Sequence, residues 1–194
     1  MAVGLWVRLV PDTMSVRESN TSSRFSRLLC LALLVAPVVP SLALTGCKAE
    51  PTIAGTEIPD TEDNRQIIAV LERYRTSFVS RDAAAVLATA HPTYYDKAGT
   101  DDPSDDTTYE DLGPLLRRRM SQLDSIRFTM DYIEVLGTGD RAIVRVWIDA
   151  SFRFKPLLDS YGEAREQPPY ARVMDHSEFE LVREGDNWLI VSGL

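Results

Sequence analysis

The spacing of apolar residues changes once along the chain, and this change most constrains the fold. Ile67, Leu71, Tyr74 and Phe78 recur at helical spacing, with charged residues between them. That spacing predicts a long amphipathic helix that begins near Thr61, with Asp60 or Thr61 as its N-cap. From residue 126 onward apolar and polar residues alternate, which is typical of strands with one buried face. Helices followed by strands predict an α+β domain, with helices packed on an antiparallel sheet.

Two more helices and four strands complete this prediction. Asp82 is placed to cap a short helix that stops near His91, because a residue before proline is pushed out of helical geometry. A third helix is predicted over residues 109–123. The strands should form a meander, with a bulge between Met130 and Ile133 and tight turns at 137–140 and 184–187.

A different pattern occupies the first part of the chain. Basic residues precede an apolar run over residues 28–44, which ends in the sequence Leu-Thr-Gly-Cys at residues 44–47. This is the layout of a secretory signal. The four residues resemble the lipobox of bacterial lipoproteins, in which a diacylglycerol is attached to the cysteine thiol and the chain is cut just before it. The resemblance implies that residues 1–46 are a signal peptide and that Cys47 carries the lipid.

A transmembrane anchor is the alternative interpretation of the apolar run. The run contains Pro37 and Pro40 and is marginal against the roughly 20 apolar residues that a spanning helix needs. We therefore expect a lipid-anchored protein of the cell envelope, on the periplasmic or outer-membrane side in a diderm and on the outer face of the plasma membrane in a monoderm. Residues 47–60, rich in proline, glycine and charge, are interpreted as the lipidated cysteine and a flexible tether, and residues 61–194 as one domain.

Composition excludes several kinds of chemistry. The chain has two cysteines, Cys30 in the leader and Cys47, so the mature domain is expected to have no disulfide and no catalytic thiol. The formal net charge is −8, and the leader contributes more basic than acidic residues, so the domain itself is strongly acidic. The cluster Arg117 to Arg119 is too small for the basic stripe that a nucleic-acid partner requires. No nucleic-acid partner is expected.

Three segments carry a resemblance to a known superfamily. They are Phe-Val-Ser-Arg-Asp-Ala at 78–83 after the helix with Tyr74, Gly-Asp-Arg-Ala at 139–142, and the closing stretch 179–191 with its Glu-Gly-Asp-Asn-Trp turn. Residues 61–194 resemble the nuclear transport factor 2-like superfamily, including its SnoaL-like and ketosteroid isomerase branches. The resemblance implies a strongly curved sheet wrapped around a helix, a cone-like or cystatin-like roll, with a pocket at its open end and frequent dimerisation through the sheet.

Polar residues that could line such a pocket follow from strand and helix positions. Asp175 and Ser177 share strand parity with Phe179 and should point into the cone, where a carboxylate among apolar walls can act as an acid or base. A structural role for Asp175 is the alternative, as is simple packing for the aromatic residues and helix capping for the histidine. The full set of pocket candidates is Tyr74, His91, Tyr94, Tyr95, Asp175 and Ser177, of which Asp175, Tyr74 and His91 are the weak catalytic candidates.

The opposite face of the sheet offers a second candidate surface. Arg145, Trp147 and Asp149 alternate with the apolar residues of their strand and should face outward. A tryptophan among charges is a candidate anchor for a homodimer or another partner. Cover by the polar segment 155–169 is the alternative for this side chain.

No metal or cofactor site is expected. Residues 96–111 form an acidic stretch that raises the question of calcium, but the stretch lacks the spacing of an EF-hand and is interpreted as a solvated loop. Two functions remain. One is a non-catalytic lipoprotein module that binds a small hydrophobic ligand or a protein at the membrane, and the other is a SnoaL-like enzyme with acid–base chemistry on a hydrophobic small molecule.

Overall fold

The computed structural model describes residues 50–156, 161 and 170–194. The leader, Cys47 and most of the 155–169 connection lie outside these residues. The described part has helices packed on a four-stranded antiparallel sheet, beside a two-stranded ribbon. The elements are α1 (Glu62–Val79), α2 (Ala83–Leu87), β1 (Tyr95–Asp96), β2 (Thr107–Thr108), α3 (Tyr109–Gln122), β3 (Leu123–Thr138), β4 (Arg141–Phe154), β5 (Tyr170–Glu184) and β6 (Asn187–Ser192). The α+β prediction is confirmed.

The predicted helix caps are present. Thr61 Oγ1 accepts a hydrogen bond from the amide of Asn64, and the Asp82 carboxylate accepts from the first amides of α2. Between these helices Arg81 has a positive φ of 59°, and its guanidinium donates to the Leu123 carbonyl at 2.7 Å. The turn between α1 and α2 is therefore tied to the start of the sheet.

The main sheet is a meander in the order β3-β4-β5-β6. The predicted bulge lies between Tyr132 and Glu134. At the bulge Tyr132 takes the half-buried position and Ile133 is 44% exposed, although Ile133 is apolar. An extra residue at a bulge shifts the side chains that follow it to the other face.

Aromatic rings fill the space between α1 and the concave face of the sheet. The ring of Tyr74 lies 5.9 Å from that of Phe128 and 5.6 Å from that of Phe179, both edge-on. Phe78 continues the cluster and contacts Phe128 and Phe152 in the same manner. All five side chains are buried. The helix is thus held on the sheet by edge-to-face aromatic contacts, the arrangement that such rings prefer.

Residues 50–60 differ from the predicted flexible tether. Thr52 pairs with Pro59, the amide of Asp60 donates to the Pro51 carbonyl at 2.8 Å, and Ile58 is buried. The folded part therefore begins about ten residues before Thr61. Composition indicated a linker, but one buried isoleucine and a few backbone hydrogen bonds are enough to fold this short segment against the domain.

Removal of the Phe78 side chain should destabilise the domain severely. Phe78→Ala leaves a cavity beneath α1, and we expect the free energy of unfolding to fall by about 3–5 kcal/mol. Urea denaturation followed by circular dichroism measures the change. Tyr170→Ala is the control, since Tyr170 is 65% exposed, and it should shift stability by no more than about 0.5 kcal/mol. Equal effects of the two substitutions would contradict the role of the aromatic cluster.

Candidate functional site

A buried carboxylate and a buried phenol meet where β1 passes beneath the last residues of the chain. Tyr94 and Asp96 point inward, whereas Tyr95 between them is exposed. The Tyr94 hydroxyl donates to Asp96 Oδ2 at 3.1 Å and lies 3.2 Å from the amide of Leu194, which donates to it. Burial is the main cause that raises the pKa of Tyr94, and the nearby Asp96 charge adds to it. The phenol is therefore a neutral donor over the ordinary pH range.

Asp96 is only 5% exposed, and its oxygens are occupied by protein donors. Besides Tyr94, the amides of Ala98 and Gly193 each donate to the carboxylate at 2.8 Å. Gly193 has a φ of +102°, and a Cβ there would lie 2.4 Å from the Glu178 carbonyl oxygen, so a glycine is required for this approach. The hydrogen bond from Gly193 to the Asp96 carboxylate thus holds the residues after β6 against β1.

A cleft of about 480 Å³ opens beside this cluster, between α3 and the segment that joins β1 to β2. Its floor is apolar and includes Leu112, Leu115, Leu116 and Leu194. Charged residues of both signs stand around it, with Asp105, Asp106 and Asp111 on the acidic side and Arg118 and Arg119 on the basic side. Desolvation, followed by the charge of Arg118, lowers the pKa of Arg119. An apolar floor with a mixed charged rim suits an amphipathic small molecule.

The carboxylates of the acidic stretch take local hydrogen bonds. Asp105 accepts from Thr100, Asp106 from Tyr95, and Asp111 from Thr108. The interpretation of the whole stretch as a solvated loop was wrong for its first residue, because Asp96 lies in β1 and is buried. Within the described ranges, no three His, Cys, Asp or Glu side chains are grouped so that they could hold a metal ion.

The three weak catalytic candidates do not come together. Tyr74 is in the aromatic core, and burial raises its pKa. The Nδ1 of the His91 ring lies 2.7 Å from the Thr93 hydroxyl, and its Nε2 lies 3.7 Å from the Glu184 carboxylate. The backbone amide of His91 donates to the Ile190 carbonyl. These contacts hold the loop after α2 against β6, and the C-cap of α2 is Ala88 rather than His91.

The inward orientation predicted for two β5 residues is confirmed. Asp175 pairs with Ile148 and Ser177 with Val146, and both partners are buried residues of the concave face. Asp175 lies about 20 Å along β5 from Leu181, at about 3.3 Å per residue. Leu181 pairs with Ile190, which binds the His91 backbone. Asp175 and His91 therefore cannot act on one substrate atom in this arrangement.

The three outer-face candidates lie together on β4. Arg145 bonds Glu178 at 2.9 Å and also contacts Glu134, while Arg172 holds Asp149 through two nitrogen–oxygen contacts. Trp147 is half-buried, and its ring lies edge-on to His176 at 4.7 Å. Arg145 and Asp149 are thus each paired within the face, and Trp147 lies between these two paired groups.

Known structures share this architecture. A candidate dehydratase of the NTF2-like family from Streptomyces avermitilis is similar at 14% identity over 67% of this chain and 92% of that one, with a TM-score of 0.52. A ketosteroid isomerase-like protein from Erwinia carotovora atroseptica has 19% identity over 68% and 93%, with a TM-score of 0.51. The chain has the nuclear transport factor 2-like fold.

The same fold serves other roles among these neighbours. A candidate calcium/calmodulin dependent protein kinase II association domain from Xanthomonas campestris has 14% identity over 70% of this chain and 87% of that one, with a TM-score of 0.50. No protein-family model and no curated protein sequence matches the chain. Because one fold hosts unrelated functions, the nuclear transport factor 2-like fold alone does not identify an activity.

Two structural features bear on the site and its surroundings. Asp96 was missed as a site residue because it opens an acidic stretch, and the sequence Tyr-Tyr-Asp at residues 94–96 carries no alternation that would mark it as buried. In the described part of the chain, no helix has both the length and the apolar character needed to cross a membrane.

Replacement of Asp96 should loosen the whole region. Asp96→Ala leaves two amides and a phenol without their acceptor, so we expect a loss of about 3 kcal/mol or more in the free energy of unfolding. Asp101→Ala removes an exposed carboxylate from the segment that follows β1 and should cost less than about 1 kcal/mol. Chemical denaturation measures the free energy of unfolding of the two variants. Equal values would contradict the stabilising role of the hydrogen bonds to Asp96.

Proposed function

We propose that this protein is a lipid-anchored, non-catalytic binding module of the cell envelope. The observation that carries the proposal is the filled cone. Phe128, Phe152 and Phe179 occupy the concave face beneath α1, and Tyr74 and Phe78 close it from the helix side. A reaction chamber would need room for a substrate beside its acid and base. Binding through the surface requires no such room.

The outer face of the sheet is the surface we assign to a partner, and a second copy of this chain is the occupant we favour. Arg145 pairs with Glu134 and Glu178, and Arg172 pairs with Asp149, so these charges keep their partners when the face is covered. Because both signs are present in neighbouring strands, a twofold axis can place opposite charges against one another. Trp147 and the exposed Met174 supply apolar contact area.

The α3 cleft supports a second candidate function, the binding of a small hydrophobic ligand. Its leucine floor and charged rim match a molecule with an apolar body and a polar end. A SnoaL-like isomerase or cyclase is a less favoured use of the same fold. Only the names of structural neighbours support this use. The Asp96 carboxylate already accepts hydrogen bonds from the protein, and Asp175 and His91 lie apart, so neither arrangement supplies an acid and a base for one substrate.

The anchor part of the proposal rests on the lipobox-like sequence that ends at Cys47. Acyl chains contribute roughly 0.8 kcal/mol per buried methylene, so a diacylated cysteine holds a protein on a membrane almost permanently. The acidic domain would then act within reach of the membrane surface.

Lipidation can be tested with the two cysteines of the chain. Cys47→Ser should abolish incorporation of labelled palmitate and move the protein from the membrane fraction to the soluble fraction of its host. Cys30→Ser changes the cysteine inside the leader and should leave both properties intact. Palmitate labelling that persists in Cys47→Ser would contradict the anchor.

The partner surface can be tested by sedimentation equilibrium and native mass spectrometry on protein from its own host. We expect a dimer that Trp147→Ala weakens by about tenfold or more, the effect of removing an interface anchor. Tyr95→Ala removes an exposed aromatic ring from the β1–β2 ribbon and should leave the dimer unchanged. A monomer with a retained small molecule would favour the cleft instead, and a dimer that is indifferent to Trp147 would contradict the assigned face.

A further inference from the structure

The folded domain begins only a few residues after the proposed lipid anchor. The amide of Asp60 donates to the Pro51 carbonyl at 2.8 Å. Within the same stretch the amide of Ile53 donates to the carbonyl of Ile58, whose side chain is buried. Residues 51–60, which we name the N-terminal segment, are therefore fixed to the domain. Four residue steps join Cys47 to Pro51, and an extended chain covers at most roughly 14 Å in four steps.

The N-terminal segment lies beside the first turn of α1 and the bulge of β3. Asn64, in that first turn, donates from its Nδ2 to the Pro59 carbonyl at 2.8 Å. Gly55 and Thr56 line a shallow hollow of about 480 Å³ together with Ile133 of β3. The short link to Cys47 is thus attached at the end of the domain where α1 begins.

The opposite end, which we name the far end, contains the last turn of α1 and the start of β3. The 18 residues of α1 rise about 27 Å. Ser125, near the start of β3, lies eight positions before Ile133, which corresponds to about 26 Å along the strand. Arg81, just after α1, donates to the Leu123 carbonyl at 2.7 Å, so helix and strand meet at this end. The far end is therefore much farther from Pro51 than the link can reach.

We propose that the short link holds the N-terminal segment and the β3 bulge against the headgroups of the bilayer, with the far end directed away from the membrane. This inference rests on the proposed lipidation of Cys47. Part of the link lies within the headgroup layer itself, because that layer adds about 5–7 Å to each side of the hydrocarbon core. Pro51 is then close to the surface, whereas the far end has no attachment to it.

The surface around the link suits neutral headgroups. Ile133 is exposed beside the hollow, and an apolar side chain is stable at the boundary between headgroups and acyl chains. Glu57, at the same hollow, and Asp131, two positions before Ile133, are exposed carboxylates that an anionic surface would repel. Zwitterionic phospholipids are therefore the partner that we assign to this surface.

Contact quenching tests the orientation on the lipidated protein, purified from the membranes of its host and reconstituted in phosphatidylcholine vesicles. Ala54→Cys places a fluorescent label in the N-terminal segment, and Ser125→Cys places the same label at the far end. Both positions are exposed. Cys30 is removed with the leader and the Cys47 thiol is acylated, so each variant takes one label. A nitroxide on the choline headgroup should quench the label at position 54 and leave the emission at position 125 unchanged.

A longer link supplies the matched test. Insertion of twelve Gly and Ser residues between Glu50 and Pro51 adds a flexible coil with a root-mean-square length of about 19 Å, so quenching at position 54 should fall. Palmitate incorporation should stay the same, because the lipobox-like sequence is unchanged. The same insertion between Asp102 and Pro103, in an exposed loop, leaves the link as it is and should preserve the quenching.

The outcomes separate the orientation from the anchor. Equal quenching at positions 54 and 125 in a palmitoylated protein would overturn the orientation and leave the anchor in place. Quenching at position 54 that persists after the Glu50–Pro51 insertion would also overturn the proposal, because contact would then not depend on the short link. A protein that carries no palmitate would overturn the anchor and this inference together.

Discussion

The packing of α1 on the concave face of the sheet is the contact on which the rest of the structure depends. Tyr74 and Phe78 each touch aromatic rings of the sheet, so one side of a single helix covers three strands. Edge-to-face contacts between such rings contribute beyond the area they bury. Val86 of α2 and Leu112, Leu116 and Met120 of α3 belong to the same buried cluster, so the other helices pack around this contact.

The same packing determines where function can reside. Rings that fill the cone leave the α3 cleft at its margin. Neighbours of the nuclear transport factor 2-like fold bear names of enzymes and of an association domain, so the fold is compatible with either use. The filled interior of this chain is the basis of our proposal that it binds through its surface.

Asp96 shows how a polar group can stabilise the margin of an apolar core. Its carboxylate replaces water with three protein donors, one of them from Gly193, which is 97 residues away in sequence. A buried charge is tolerated only when it is satisfied in this way. The contact holds Gly193, and the next residue, Leu194, forms part of the apolar floor of the α3 cleft, so a structural carboxylate also shapes a candidate binding surface.

Local patterns in the sequence were enough to determine the helices, the cap at Asp82, the bulged meander and hence the α+β class, and they narrowed the cap of α1 to Asp60 or Thr61. These features depend on residues a few positions apart, and spacing reports them directly. The inward parity of Asp175 and Ser177 was likewise predictable from alternation. Only the tertiary structure decided that Asp96 is buried, that His91 and Asp175 are separated, and that Ile58 folds against the domain. Those outcomes depend on contacts between segments far apart in the chain, which no local pattern encodes.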